Sequence, residues 1–326
     1  MSKAAPAAER APAGKISGGR PFLVVTGPTA SGKSALALAI AREFDGIIVN
    51  ADSMQVYREL SILTARPGRA ELAAAPHHLY GVLPASERCS AGRWRDMALN
   101  AMAEAPEKLA VATGGTGFYL RALRSGLSPI PDIPGEALRE GVARVVRIGA
   151  GALHDELAER DPETAQRLNP RDSQRILRAW LVLEATGRTL SDWQREPPAG
   201  DRAPSLVFML MPPRPALYEA IDQRLHRMVR QGAVEEARAF LALGLDSSLP
   251  AMKAVGVREF GRLLAGEVTE EAAIAAAQQE TRRYAKRQIT WLRHQMVDAQ
   301  TINEQFSESI LPNIFSKIRH FVLTTS

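Results

Sequence analysis

Up to about Pro129, short apolar runs alternate with stretches of helical spacing. Pro21 to Thr26 (PFLVVT) is an apolar run bounded by turn signals, Ser34 to Phe44 (SALALAIAREF) repeats its apolar positions as a helix does, and a glycine-bearing turn lies between them. Gly46 to Asn50 (GIIVN) and Leu109 to Thr113 (LAVAT) read as two further buried strands, the second following a helical stretch around Trp94 to Ala105. Strands that alternate with helices predict a parallel sheet covered on both faces.

The pattern then changes. The stretch Pro129 to Pro134 (PIPDIP) is a proline-rich hinge, and from Glu136 to about Trp193 only helical periodicity appears, with a turn at Asn169-Pro170 ahead of a helix over Ser173 to Thr186. Ser205 to Met211 (SLVFMLM) returns to a strand pattern and Pro212-Pro213 closes it. From Ala216 to about Gln295 the spacing is helical, and NIFSKIRHFV near the end adds one more helix. The expected architecture is an α/β core of residues 21–130 and 205–300 with an all-helical insertion at 131–204, a disordered N-terminal tail at 1–20 and a C-terminal tail at 301–326.

Composition narrows the function classes. The chain has 326 residues, enough for one large core or a core carrying a smaller insertion, and its 41 Lys and Arg against 36 Asp and Glu leave a net charge of +5, which suits an anionic partner without naming it. The single cysteine, Cys89, excludes an internal disulfide and a multi-thiolate zinc site, and fits a reducing cytoplasm. No apolar run approaches the roughly 20 residues of a spanning helix, so a soluble protein with no membrane partner is expected. The first 20 residues lack the continuous apolar stretch of a secretory signal; a transit peptide is the alternative to a plain tail.

The strongest chemical signal is Gly27-Pro28-Thr29-Ala30-Ser31-Gly32-Lys33-Ser34, which fits G-x-x-x-x-G-K-[ST] between a strand and a helix. Its glycines let backbone N–H groups converge on phosphate oxygens, the helix start adds its positive dipole end, Lys33 adds a point charge, and the Ser34 hydroxyl can hold Mg²⁺. The fold is therefore expected to be P-loop NTPase-like. In ATPases and most P-loop kinases a second strand ends in an acidic residue that helps hold the metal. Here LAVAT runs instead into Gly114-Gly115-Thr116-Gly117. That argues against ordinary ATP hydrolysis.

A second constellation, Asn50-Ala51-Asp52-Ser53-Met54-Gln55-Val56-Tyr57, follows the second strand. The carboxyl ends of strands form the ligand crevice of an open α/β sheet, so Asp52 should face the region of the phosphate loop, where a carboxylate can accept a proton or bind metal. The alternative from the residues alone is a helix N-cap.

Taken in order, GPTASGKS, ADSMQVY, Thr64-Ala65-Arg66-Pro67, GGTGFYL, QRILRA and Lys286-Arg287-Gln288-Ile289-Thr290-Trp291 resemble the tRNA dimethylallyltransferase family, over about Phe22 to Arg293. The resemblance implies a phosphate loop that cradles the pyrophosphate of dimethylallyl diphosphate through Gly27, Pro28, Thr29, Ala30, Ser31, Gly32, Lys33 and Ser34, with Thr116 nearby and Arg224 as a further basic contact. It implies Asp52 as the general base, and tRNA contacts from Asp52, Ser53, Met54, Gln55, Thr116, Arg139, Gln174, Arg175, Ile176, Leu177 and Arg178. The expected partner is a tRNA anticodon stem-loop entering between core and insertion, the expected cofactor is Mg²⁺, and a monomer is expected, although the sequence does not fix the oligomeric state. The sequence departs from the family's habit at Ser61-Ile62-Leu63, where glycine usually precedes Thr-Ala, at Arg66 for lysine, at Trp94 for phenylalanine and at Val257 for tyrosine.

The residues support those roles by their own chemistry. Diphosphate leaves readily once its developing charge is neutralised, and the adenine amine, a poor nucleophile, gains most from a positioned carboxylate. Gln174 and Arg178 share a helix face, as do Arg171 and Arg175 if that helix begins early; such a face could bracket a phosphate backbone, although an ordinary solvated face has the same pattern. In the helix around Arg282 to Arg293, Arg282, Lys286 and Arg293 form a basic side, Ala285, Ile289 and Leu292 an apolar stripe, and Tyr284 and Trp291 read as core packing. The rival activities are an ATP-dependent nucleoside or metabolite kinase and a non-catalytic RNA-binding protein. A carboxylate at a strand end would gain nothing for the latter.

Overall fold

The computed structural model describes residues 20–198 and 203–325. The expected N-terminal tail lies, up to residue 19, outside the described residues. The chain opens with β1 (Phe22–Thr26), α1 (Lys33–Glu43), β2 (Ile47–Asn50), α2 (Arg69–Ala74), β3 (His77–His78), α3 (Ala91–Ala103), β4 (Ala110–Gly114) and α4 (Gly117–Ser125). Then follow α5 (Gly135–Arg160), α6 (Pro162–Arg167), α7 (Ser173–Thr186) and α8 (Leu190–Arg195). The last stretch holds β5 (Ser205–Leu210), α9 (Arg214–Arg230), α10 (Ala233–Leu241), α11 (Val257–Leu264), α12 (Glu270–Gln295), β6 (Gln300–Ile302) and α13 (Leu311–Thr325).

The strands form one six-stranded sheet in the order β3-β2-β4-β1-β5-β6, and every pairing is parallel. β1, β2 and β4 are buried over their whole length, which is why they read as continuous apolar runs rather than as alternation. Alternate residues still go to opposite faces. Leu23 and Val25 join Leu36 and Ile40 of α1 on one side, while Phe22 and Val24 join Trp94, Ile221 and Leu292 on the other. The expected α/β architecture with helices on both faces is what the chain adopts.

The segment expected as a C-terminal tail is, over residues 301–325, packed into the sheet unit. β6 extends the sheet beside β5, and Ile314 and Ile318 of α13, one helical turn apart, are buried against α1. The physical reason is that the apolar face of NIFSKIRHFV covers a sheet face that would otherwise stand open.

The described residues fall into two compact units; the chain leaves the sheet unit after Arg124, and the second unit begins at Ser125 and holds α5 to α8. In the second unit α5 breaks at Gly149, whose φ of 83° no helix contains. α7 is capped by the Asp172 carboxylate, which accepts from Arg175 N, and ends at left-handed Gly187. Its apolar side, Ile176, Trp180 and Leu181, packs on Leu153 to make that unit's core. Buried Asp161 accepts from Thr164 N and from the Ser191 hydroxyl at 2.8 Å; burial alone would raise its carboxyl, but these hydrogen bonds outweigh it and hold the group below the ordinary range.

Candidate active site

The phosphate loop connects β1 to α1 in a shape that two glycines permit. Gly27 sits at φ 152°, with no room for a Cβ because the Leu210 carbonyl would lie 2.5 Å from it, and Gly32 sits at φ 91°. Ala30 also takes a positive φ, 64°, without being glycine. α1 begins directly at Lys33 with no side-chain cap, so its first N–H groups remain available to an anion. The Ser31 hydroxyl is buried in the loop without a hydrogen-bond partner among the described residues.

Opposite this loop, the segment after β2 is held by a small network. Asn50 donates from Nδ2 to the carbonyls of Asp52 and Leu79, and its Oδ1 accepts from Asp52 N at 2.8 Å. The Asp52 Oδ1 accepts from Met54 N at 2.9 Å, closing a turn of the kind aspartate favours. No helix follows, so the N-cap alternative does not hold. The other carboxylate oxygen has no hydrogen-bond partner among the described residues. Thr116, from the loop after β4, accepts from Ser53 N at 2.9 Å and so ties the two strand ends together.

Two helices from later in the chain complete the site. Arg224 of α9 donates from Nη2 to the Thr29 hydroxyl at 2.5 Å. Gln288 of α12, buried, accepts from Thr29 N at 2.8 Å through Oε1 and donates through Nε2 to the Gly115 carbonyl at 3.0 Å. One side-chain amide therefore fixes the spacing between the phosphate loop and the Thr116 loop. Between these elements lies a cavity of about 70 Å³. Thr29, Asp52, Arg224 and Tyr284 supply its polar wall, and Leu63, Ile221, Leu225, Met228 and Val255 its apolar one.

The electrostatics follow from burial. Loss of hydration lowers the Lys33 ammonium to about 8; Asp52 works against the drop and Arg224 adds to it. Burial likewise lowers the Arg224 guanidinium to about 10, again opposed by Asp52, so it stays charged at neutral pH. The Tyr284 hydroxyl is pushed up, first by burial and then by the Asp52 charge, and stays protonated as a hydrogen-bond donor. A cationic pair beside one carboxylate, at the edge of an apolar cavity, can receive an anionic leaving group, shelter an apolar fragment and take up a proton.

The IPP transferase family model matches residues 55–295, and the isopentenyl transferase model matches residues 21–80. The chain is 52% identical over 307 residues to a tRNA dimethylallyltransferase of Paramagnetospirillum magneticum, a match that spans 93% of this chain and 98% of that one. The chain belongs to the IPP transferase family. The full-length tRNA isopentenylpyrophosphate transferase of Bacillus halodurans superposes with a TM-score of 0.67 at 29% identity, over 94% of this chain and 97% of that one. A eukaryotic dimethylallyltransferase shares the fold, with a TM-score of 0.76 at 24% identity over 87% of this chain and 74% of that one.

In this IPP transferase the residues singled out from sequence separate into two groups. Thr29, Asp52 and Arg224 line the cavity, Thr116 is bonded to Ser53 N next to Asp52, and Ala30 to Ser34 continue the phosphate loop from Thr29. Met54 lines that cavity, whereas the Gln55 amide is engaged by the carbonyls of Thr64 and Ala65. Arg139, Gln174, Arg175 and Arg178 belong to the helical unit and are exposed there, with Leu177 half-buried. Ile176 is a correction: its side chain is fully buried in the helical core and has no surface to offer RNA. Arg171 precedes α7, so it shares no helix face with Arg175, which instead faces the cap Asp172 at 3.5 Å.

On α12 the apolar stripe Ala285, Ile289 and Leu292 is buried as expected, and Trp291 packs on Gly117 where a Cβ would not fit. Tyr284, expected as core packing, lines the cavity instead. Arg282 is paired with Asp222 of α9 and leaves Lys286 and Arg293 as the exposed basic positions.

Three of the four departures from the family habit have local answers, and nothing in the structure explains Val257. The N–H groups of Ser61, Ile62 and Leu63 all donate to the Glu236 carboxylate at 2.8 Å. Arg66 donates to the carbonyls of Tyr57 and Arg58. The Trp94 indole N–H donates to the Asn50 carbonyl at 2.8 Å, a bond phenylalanine could not make. Among the described residues no group of three or more His, Cys, Asp or Glu side chains is placed to hold a metal ion. The Ser34 hydroxyl is exposed at the start of α1.

Proposed function

We propose that this enzyme transfers a dimethylallyl group from dimethylallyl diphosphate to N6 of the adenosine immediately 3′ of the anticodon, in tRNAs that read codons beginning with U. The products are N6-isopentenyladenosine and diphosphate. The observation that carries the reading is the arrangement of Asp52, Arg224 and Thr29 of the phosphate loop around one small cavity with a polar and an apolar wall. The name of the 52%-identical relative supports the same reaction.

In the reaction the bond between the allylic C1 and the diphosphate oxygen breaks, and its electrons leave with the diphosphate. The N–H groups at the start of α1, Lys33 and Arg224 receive that charge. The adenine N6 bonds to C1, and its proton goes to the Asp52 oxygen that carries no hydrogen bond among the described residues. Thr116 and Met54 N hold that carboxylate segment in place while the amine approaches. Ser34 and diphosphate oxygens would hold Mg²⁺, which supplies further neutralisation of the leaving group.

Reaching N6 requires an unstacked base, which an anticodon loop provides. The exposed Arg139, Gln174 and Arg178 of the helical unit suit the phosphates of that stem-loop. Among the described residues no helix is long and apolar enough to cross a membrane. The lone Cys89 suits a reducing cytoplasm, and since base, cations and loop come from one chain, a monomer suffices.

The test is transfer of label to unmodified tRNA, from dimethylallyl diphosphate and separately from ATP, with Mg²⁺, by the wild type and by Asp52→Asn. Label should pass from the prenyl donor to adenosine and fail to do so in the variant. Consumption of ATP alone would establish the kinase reading instead, and tRNA binding with neither donor used would leave only a binding protein.

A further inference from the structure

The segment after α12 returns to the back of the phosphate loop. β6 pairs with β5, Met211 N donates to the Ile302 carbonyl at 2.7 Å, and the chain is thereby delivered at residues 303–307 to the loop. There Gln305 donates from Nε2 to the Ala30 carbonyl at 3.0 Å, and Phe306 N approaches the Ser31 carbonyl at 3.5 Å. The Phe306 Cβ lies 2.5 Å from where a Cβ on Gly32 would stand, so side chain and loop backbone touch with nothing between them.

These contacts fall on the strained part of the loop. Ala30 holds a left-handed φ of 64° and Gly32 one of 91°. An L-residue such as alanine disfavours that region, so an outside donor on its carbonyl and the Phe306 backbone and Cβ beside Gly32 help to retain it. α13 then fastens the segment to the helix that the loop starts. Phe315 meets Phe44 edge-on at 5.5 Å, Arg319 pairs with Glu43 at 2.6 Å, and Ile314 and Ile318 pack with Leu36 and Ile40. The IPP transferase match ends at residue 295, ahead of β6, the segment 303–307 and α13.

We propose that residues 303–307 form a strap that positions the phosphate loop, in which Gln305 and Phe306 hold Ala30 to Gly32 in the anion-receiving shape and thereby set the affinity for the diphosphate end of the donor. Gln305 is a positioning residue: it acts through the Ala30 peptide and touches no reacting atom. The role of the strap in affinity rests on the reading of the loop as a diphosphate site. The hold on loop shape does not.

The experiment uses the full-length chain as wild type, Gln305→Met and Gln305→Glu, which keep the side-chain length and remove the donor. Three quantities are measured: calorimetric affinity for inorganic diphosphate, amide hydrogen exchange across residues 28–33, and affinity for an anticodon stem-loop. Loss of one hydrogen bond to the loop should weaken diphosphate by about five- to tenfold, speed exchange of the loop amides, and leave stem-loop affinity within about twofold. Folded variants with unchanged loop exchange and unchanged diphosphate affinity would overturn the strap. So would a parallel fall of diphosphate affinity, stem-loop affinity and Tm, which marks a merely structural residue. If the wild type itself binds no diphosphate, the failure belongs to the proposed function, and loop exchange in the variants still decides the strap.

Discussion

In the sheet unit, nearly every candidate residue is tied down before any substrate arrives. Thr29 is held twice, by Gln288 at its N–H and by Arg224 at its hydroxyl, and Asp52 is fixed through Asn50, Met54 and the Thr116 connection. In the helical unit the candidates Arg139, Gln174 and Arg178 stand exposed, while the residues between them, Ile176 above all, build that unit's own core. The first pattern is that of preorganised chemistry, in which dipoles and charges are fixed ahead of the transition state. The second suits recognition of a polyanion by solvated groups. Substitutions in the first unit should cost orders of magnitude in rate or donor affinity, and substitutions in the second only small factors in tRNA affinity.

The sharpest break would come at Asp52. Asp52→Asn keeps the shape and the acceptor for Met54 N but cannot take the amine proton, so turnover should fall by about 10² to 10⁴. Affinities for diphosphate and tRNA should stay within a few-fold. Single-turnover prenyl transfer at saturating substrates checks this, and near-normal turnover would remove Asp52 from the chemistry.

Next in size is Arg224→Gln. The guanidinium is largely buried and charged, so its loss removes a charge-assisted hydrogen bond worth about 1.5–3 kcal/mol, or about ten- to a hundredfold in diphosphate affinity. Calorimetry with inorganic diphosphate measures it. An affinity that barely changes would mean that Arg224 serves only to hold Thr29.

The pH dependence separates the units in a different way. With the Lys33 ammonium lowered to about 8, its charge is complete below that pH and is lost as the pH rises through it. Diphosphate affinity should therefore fall above pH 8, by up to about tenfold per pH unit beyond the change seen in Lys33→Met, while stem-loop affinity does not follow the same curve. An identical profile in wild type and Lys33→Met would show that Lys33 does not set this dependence.

The contrast between the units also explains how far the sequence could be read. β1, β2 and β4 are buried on both faces, so their apolar runs were plain, and the phosphate loop carries its residues within eight consecutive positions. Asp52 was legible because a strand end in such a sheet points to the crevice. Gln288 and Tyr284 were not legible as site residues. Their partners lie far along the chain, 259 residues away for the Thr29 to Gln288 bond, and at helical spacing Tyr284 looks the same whether it faces core or cavity. The pairing of Arg282 with Asp222 was hidden for the same reason, since 60 residues separate the two. β3 and β6, two and three residues long, are too short for any periodicity to show, and with β6 went the anchoring of α13.

The smallest effect is expected in the helical unit, and it tests the comparison most directly. Arg178 is exposed one turn from Gln174 on α7, and burial lowers its guanidinium while the Asp132 charge opposes the drop. If it meets one phosphate, Arg178→Ala should weaken stem-loop binding only a few-fold at moderate salt and reduce the slope of log affinity against log salt by about 0.7 to 0.9. Diphosphate affinity and single-turnover rate at saturating tRNA should not change. Binding titrations at several salt concentrations measure the slope. A loss of turnover at saturating tRNA would place part of the chemistry under the control of this unit and end the division of labour drawn between the two, whereas an unchanged slope would make the Gln174 and Arg178 face an ordinary solvated surface.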